Sequence, residues 1–281
     1  MTRMVILDFD GTLTDAEKEG VPYREGYLHD VAILAGAPRE EVLSLAEGFE
    51  AEVQRREGEF GWKYGGEIVA PAGVDPYLRM MPVARMIFDH YGVFMNGDDR
   101  DRLLDGILYR YNYPRTRTVF REGAAEALMA LPRETTWVVT NSHTAPVQNK
   151  IRTLDRTVHG QLDWLIDRVH GNARKYVIDP DFPEVQETLN LPGLERPILL
   201  RRANYHRVLE ELRLKANVDW EDVLVIGDIF ELDLSLPLAM GATVGLMVNP
   251  FTPGYEKNFL AEHSRGHLFD RLAEVVTFLE A

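Results

Sequence analysis

Residues Val5-Ile6-Leu7-Asp8-Phe9-Asp10-Gly11-Thr12-Leu13-Thr14-Asp15 constrain this chain more than any other stretch, because an unbroken apolar run ends in two carboxylates one residue apart. A short apolar run without polar alternation is the pattern of a strand covered on both faces, as in a parallel sheet flanked by helices. Gly11 then breaks the strand. In such sheets ligands sit beyond the carboxyl ends of the strands, so Asp8 and Asp10 fall where chemistry is usually placed. Asp, Gly and Thr also favour an ordinary acidic turn. Two later segments repeat the design, however. Trp137-Val138-Val139 runs into Thr140-Asn141-Ser142, and Val223-Leu224-Val225-Ile226-Gly227 runs into Asp228, with Asp233 five residues on.

Around these segments the chain alternates helix and strand. Gly123 to Leu131 reads as a helix, Thr136 to Thr140 as a strand and Val147 to Leu154 as a helix. Ile198 to Leu200 reads as a short strand, Tyr205 to Leu214 as a helix, Val223 to Ile226 as a strand and Thr243 to Val248 as the last sheet strand. Strands joined by crossover helices predict a doubly wound α/β core with a parallel sheet. Residues 155–196 resist assignment, with Asp179-Pro180-Asp181-Phe182-Pro183 and Leu191-Pro192-Gly193 punctuating them as loops.

About 120 residues separate the first two apolar runs, far more than one crossover needs, and their pattern is helical. Val42, Leu45, Ala46, Phe49 and Val53 mark one amphipathic helix after Pro38, and Leu103, Leu104, Ile107, Leu108 and Tyr111 mark another, with Asp98 or Asp99 placed to cap it. Weaker patterns cover Tyr27 to Leu34 and Tyr77 to Tyr91, the latter bent near Pro82. Gly58 to Pro76 reads as a loop. The domain reading is an α/β core of residues 1–16 and 117–281 with a helical insert of residues 17–116.

Composition narrows the partners. With 45 Asp and Glu against 31 Lys and Arg, the formal charge of −14 opposes nucleic acid and anionic membrane surfaces, and no basic cluster offsets it. The absence of cysteine excludes disulfides and thiolate metal sites. Met1 to Leu7 runs straight into the first strand, and no segment approaches the ~18 apolar residues of a membrane span, so the expectation is a cytoplasmic protein, taken as a monomer or homodimer.

Four carboxylates, Asp8, Asp10, Asp228 and Asp233, are expected on one sheet edge, where their repulsion calls for a cation. Oxygen ligands without Cys or paired His suit Mg²⁺. The string DFDGTLTD resembles the first motif of the haloacid dehalogenase-like hydrolase superfamily, mostly magnesium-dependent phosphatases. Trp137 to Ser142 is similar to that family's second motif and Val223 to Asp228, with Asp233, to its fourth.

The resemblance implies a phosphomonoesterase with a cap domain inserted after the first motif. It implies Asp8 as nucleophile, Asp10 as general acid and base, and Thr140 as a phosphate-binding hydroxyl, with Asn141 beside it. It also implies Mg²⁺ held by Asp8, Asp228 and the backbone carbonyl of Asp10, with Asp233 in an outer or helix-capping place. The family's dehalogenases lack the acidic residue two positions after the nucleophile, so Asp10 selects phosphate chemistry. The family's third motif, a phosphate-neutralising cation before the fourth, has two claimants. Arg202, 26 residues before Asp228 at the start of a predicted helix, has the expected spacing, while Lys175 competes if the insertion after it preserves its place in space. Trp62 and Lys63 in the cap loop are candidate substrate contacts, though Trp62 could equally pack the cap. A phosphonatase or phosphomutase, or a binding scaffold without turnover, would share these motifs.

Overall fold

Met4, Val5, Ile6 and Leu7 are all buried, and in the computed structural model, which describes residues 2–112 and 118–281, they form an interior strand of a six-stranded sheet. In chain order the strands are β1 (Met4–Leu7), β2 (Gly61–Tyr64), β3 (Glu67–Pro71), β4 (Thr136–Val139), β5 (Val169–His170), β6 (Thr188–Leu189), β7 (Ile198–Leu199), β8 (Val223–Gly227), β9 (Thr243–Met247) and β10 (Gly266–Phe269). The helices are α1 (Ala16–Ala35), α2 (Arg39–Arg55), α3 (Pro76–Tyr91), α4 (Gly97–Asn112), α5 (Ala124–Ala130), α6 (Thr144–Thr157), α7 (Asp163–Ile166), α8 (Ala203–Ala216), α9 (Ser235–Ala239), α10 (Gly254–Glu262) and α11 (Leu272–Glu280). The sheet order is β10-β9-β8-β1-β4-β5, all parallel.

The side-chain period of two explains why the strands read as continuous apolar runs. Met4, Ile6, Trp137, Val139, Val223, Val225, Val244 and Leu246 pack on one face with Tyr205, Leu209 and Leu212 of α8 and Tyr255 and Leu260 of α10. Val5, Leu7, Val138, Leu224, Ile226 and Met247 pack on the other with residues of α5, α6 and α11. Both faces are covered, which is the α/β architecture expected from the alternation.

The sheet departs from the expectation at its edges. β10 pairs outside β9, so Thr243 to Val248 is not the last sheet strand. The two-residue β5, too short to leave a pattern, adds to the opposite edge. Ile198 and Leu199 do not join the sheet; they pair antiparallel with Leu189 and Thr188 inside the segment that resisted assignment.

The chain divides into two compact units, one of residues 1–15, 63–70 and 120–281 and the other of residues 16–62 and 71–119. The expected boundary at 116/117 lies outside the described residues. In the second unit α1 to α4 enclose a core including Tyr23, Tyr27, Val42, Val53, Val83, Phe88 and Leu104. Its helix ends follow local chemistry. Asp75 caps α3 by accepting from the Tyr77 and Leu78 amides, Pro76 stands in the first turn, and Gly92 closes the helix in the left-handed region at φ 66°. Neither Asp98 nor Asp99 caps α4; the Asn96 side chain accepts from both of their amides, at 3.1 and 3.3 Å.

The expected loop from Gly58 to Pro76 contains a hairpin, β2 and β3. Gly65 and Gly66 turn it with φ of +61° and +92°, a two-residue connection that needs positive φ at both positions. The hairpin tip, residues 63–70, belongs to the unit that contains the parallel sheet, so the helical insert is not one uninterrupted block.

Candidate active site

Because β4 and β8 flank β1, three of the predicted polar strand ends become neighbours. Leu7 is in register with Val138 and Ile226, and the Asp8 amide donates to the Ile226 carbonyl at 2.8 Å, which sets Asp8 beside the end of β8. Asp8, Asp228 and Asp233 are buried, and one carboxylate oxygen from each lies within 4.8 Å of the others. The Thr12 hydroxyl stands 3.3 Å from both Asp8 Oδ2 and Asp228 Oδ1. Gly11, at φ +83°, permits this closeness, since a Cβ there would sit 2.0 Å from Asp228 Oδ2. Arg121 holds the same turn by donating to the Gly11 carbonyl at 2.9 Å.

Asp233 is carried by a single π-helical turn, Phe230–Leu234, that begins just after β8. Such turns are rare in helices and recur at functional sites. Gly227 makes room, because a Cβ at that position would approach Asp233 Cβ to 2.4 Å. Glu231 of this turn is wholly buried, receives two hydrogen bonds from Arg196 at 2.8 and 2.6 Å, and accepts a third from the Tyr255 hydroxyl. The segment that resisted assignment therefore supplies, through Arg196, part of the support of the turn that bears Asp233.

Lys175, not Arg202, meets the carboxylates. Its Nζ donates to Asp8 Oδ1 at 2.7 Å and to Asp233 Oδ1 at 2.8 Å, and it lies 5.3 Å over the Tyr205 ring. Burial pulls its pKa down, but the neighbouring Asp233 and Asp8 outweigh it and hold it above its ordinary value. One lysine charge does not balance the cluster. Burial, and then repulsion from Asp233 and Asp10, push the Asp8 carboxyl up to about 7 against the pull of Lys175.

Arg202 is fully buried at the N-cap of α8, and its guanidinium is engaged by three backbone carbonyls, those of Leu199, Lys175 and Val69. Spacing alone favoured it because the chain between Lys175 and α8 is lengthened. The loop 172–177 carries Lys175 back to β1. Lys215, in the last turn of α8, is exposed.

The remaining predicted residues divide. Asp10 is half-buried; its Oδ2 accepts from the Ser142 hydroxyl at 2.6 Å and its Oδ1 from Lys150 Nζ at 3.0 Å. Phe9, between the two aspartates, is buried edge-on to Phe120 and anchors the peptide that joins them. Thr140 is buried, and its Oγ1 accepts from the Ser142 amide at 3.1 Å. Asn141 Oδ1 accepts from the Lys175 amide at 2.8 Å, so its carbonyl oxygen holds the lysine loop. Lys63 is exposed and Trp62 half-buried on β2. Thr12, Ser142, Lys150 and Tyr205 were not singled out. Thr12 and Ser142 belong to the quoted strings, whereas Lys150 and Tyr205 sit on helices whose registers only the fold brings to Asp10 and Lys175.

The donor set fits a hard divalent cation. The clustered, buried carboxylates of Asp8, Asp228 and Asp233 outnumber the Lys175 ammonium that two of them share, and no sulfur or imidazole is in the cluster. Asp233 accepts from Lys175 on one oxygen and from the Ile229 amide, at 3.1 Å, on the other, so both of its oxygens are tied to the protein.

A parallel α/β sheet with a lysine-bridged acidic centre at its carboxyl edge is the architecture of one large class of hydrolases. The sequence profile of the haloacid dehalogenase-like hydrolases matches residues 2–241, and the chain belongs to that family. No curated protein sequence matches it. Among solved structures, one described as a predicted phosphoglycolate phosphatase from Haemophilus somnus 129PT matches with TM-score 0.54 and 15% identity over 99% of this chain and 98% of that one. A protein of Bacillus subtilis, named as a HAD-hydrolase and bound to magnesium, matches with TM-score 0.50 and 15% identity over 100% and 99%. An L-2-haloacid dehalogenase matches with TM-score 0.44 and 15% identity over 100% and 99%. Among the described residues no helix is long and apolar enough to cross a membrane.

Proposed function

We propose that this hydrolase is a Mg²⁺-dependent phosphatase of small-molecule phosphomonoesters that works through an aspartyl-phosphate. The observation that carries this reading is Asp10, two residues beyond Asp8 and held by Ser142 and Lys150. Halide needs no proton to leave, whereas an alkoxide does, so a carboxyl fixed beside the nucleophile favours ester cleavage over dehalogenation.

Asp8 attacks phosphorus as the ester P–O bond breaks, and Asp10 gives its proton to the departing oxygen. Asp10 then takes a proton from water, whose oxygen attacks phosphorus and breaks the bond to Asp8, releasing inorganic phosphate and restoring both carboxyls. Lys175 neutralises the nucleophile and the phosphoryl oxygens, with the Thr140 hydroxyl as a further donor. Mg²⁺, held by Asp8, Asp228 and the Asp10 carbonyl, would supply charge neutralisation for phosphate at this crowded edge.

The test is release of phosphate from an aryl phosphate. Chelation by EDTA is expected to abolish it, Mg²⁺ to restore it and Ca²⁺ to inhibit, because calcium's longer and looser coordination misplaces the nucleophile. Full activity in chelator would remove the metal from this reading. Full magnesium-independent release of halide from a 2-haloacid would replace it with dehalogenation.

Specificity for the rest of the substrate is assigned to the inserted segment. Trp62→Ala or Lys63→Ala is expected to change the order of preference among natural phosphate esters by about tenfold while leaving aryl phosphate hydrolysis within about twofold. A panel of phosphorylated metabolites checks this, and an equal loss on every substrate would point to structural damage instead.

A further inference from the structure

We infer that Arg202 is a positioning residue, a buried clasp that fixes the backbone of Lys175 and the β2–β3 hairpin tip to the same point, so that the site's cation and the hairpin are held together. The inference rests on Lys175 as the working cation of the proposed phosphatase. A fully buried guanidinium facing mainly carbonyls is uncommon, because desolvating the charge is costly unless its donors are used. Here Nη1 donates to the Lys175 carbonyl, Nη2 to the Val69 carbonyl at 3.0 Å and Nε to the Leu199 carbonyl at 3.1 Å. The planar fork thus joins three segments that are far apart in sequence, a geometry a lysine ammonium cannot match.

Both joined segments need such a hold. The lysine loop contains two non-glycine residues in the left-handed region, Asn172 at φ 55° and Arg174 at φ 50°, and strained backbone of this kind persists only when its surroundings over-determine it. The Asn141 side chain grips the Lys175 amide and Arg202 grips its carbonyl, so the residue is pinned on both sides of its Cα. The hairpin turns on two glycines, and among the described residues its strands pair only with each other. Its second link to the loop is the Tyr64 ring, edge-on to Tyr176 at 5.7 Å.

Hydrogen exchange read by mass spectrometry on the full-length chain with Mg²⁺ tests the clasp without reference to any substrate. In Arg202→Met the amides of 63–70 and of 172–177 are both expected to exchange at least about tenfold faster, with the sheet strands unchanged. In Lys175→Met, 63–70 is expected to keep its wild-type rate. Should Arg202→Met not fold, Arg202→Lys carries the same expectation for 63–70, since the shorter, unforked side chain loses the Val69 contact. In Arg202→Met, acceleration of only one segment or of neither overturns the clasp, as does an unchanged 63–70 in Arg202→Lys.

The functional arm is a double-mutant cycle on an aryl phosphate. Arg202→Met alone is expected to lower kcat by about 10- to 100-fold with KM within about threefold, and to cost less than about twofold in the Lys175→Met background. Equal costs in both backgrounds would show a merely structural residue. A wild-type chain without phosphatase activity would refute the proposed reaction while leaving the exchange result to judge the clasp.

Discussion

Asp8→Asn is expected to reduce phosphate release by at least about 10³-fold while the protein stays folded, because the amide keeps the carboxylate's shape and loses its nucleophilicity. Asparagine still offers one oxygen to Lys175 Nζ, which donates to Asp8 Oδ1 at 2.7 Å, and its amide NH₂ can donate to the Thr12 hydroxyl, which stands 3.3 Å from Asp8 Oδ2. The substitution also withdraws one of three crowded, buried negative charges. Its melting temperature should therefore lie within about 2 °C of the wild type, a change of about 1 kcal/mol for a chain of this size. Thermal melting and an aryl phosphate assay, both in Mg²⁺, check the two halves. Turnover within tenfold of wild type would show that phosphorus is not attacked by Asp8.

Lys175→Ala is the second large effect, and it separates the two claimants for the phosphate-neutralising charge. Catalytic efficiency is expected to fall by about 10²- to 10³-fold, the usual consequence of removing a preorganised donor from a developing anion. Stability should fall as well, by about 3 kcal/mol or more in the metal-free protein, because Asp8 and Asp233 are left buried without their cation. Lys175→Arg keeps the charge and is expected to lose nearly as much activity. The lysine is 1% exposed between Asp8, Asp233 and the Tyr205 ring, so a larger planar guanidinium does not fit. A loss below fivefold in Lys175→Ala would move the charge elsewhere.

Much of the core was legible because its signals are local. The apolar run before Asp8 needs both faces covered, and it has them. The helical periodicity around Val42 and Leu104 reports a buried stripe that belongs to one helix at a time. The errors fall where local signal is weak or a second segment decides. The hairpin was read as loop although Gly65-Gly66 between Tyr64 and Glu67 is a two-residue turn signal, because four- and five-residue strands leave little alternation to count. The edge strands β5 and β10 differ from loop only in what they pair with.

The sequence by itself determined the residue types of the candidate centre and their places at strand ends, since apolar strands that stop at Asp, Thr or Gly announce themselves within a few residues. It also determined that a cation is needed, because carboxylates brought to one edge repel wherever the chain later goes. Only the tertiary structure decided which basic group answers them. Arg202 and Lys175 both satisfy the chemistry, and counting residues along the chain favoured the former. Burial reversed that order: Asn141 and the Arg202 guanidinium hold the 172–177 loop so that Lys175 points its ammonium between Asp8 and Asp233, while Arg202, with its donors closed on three carbonyls, stands behind it. Electrostatic attraction acts through space, and only the folded chain fixes those distances.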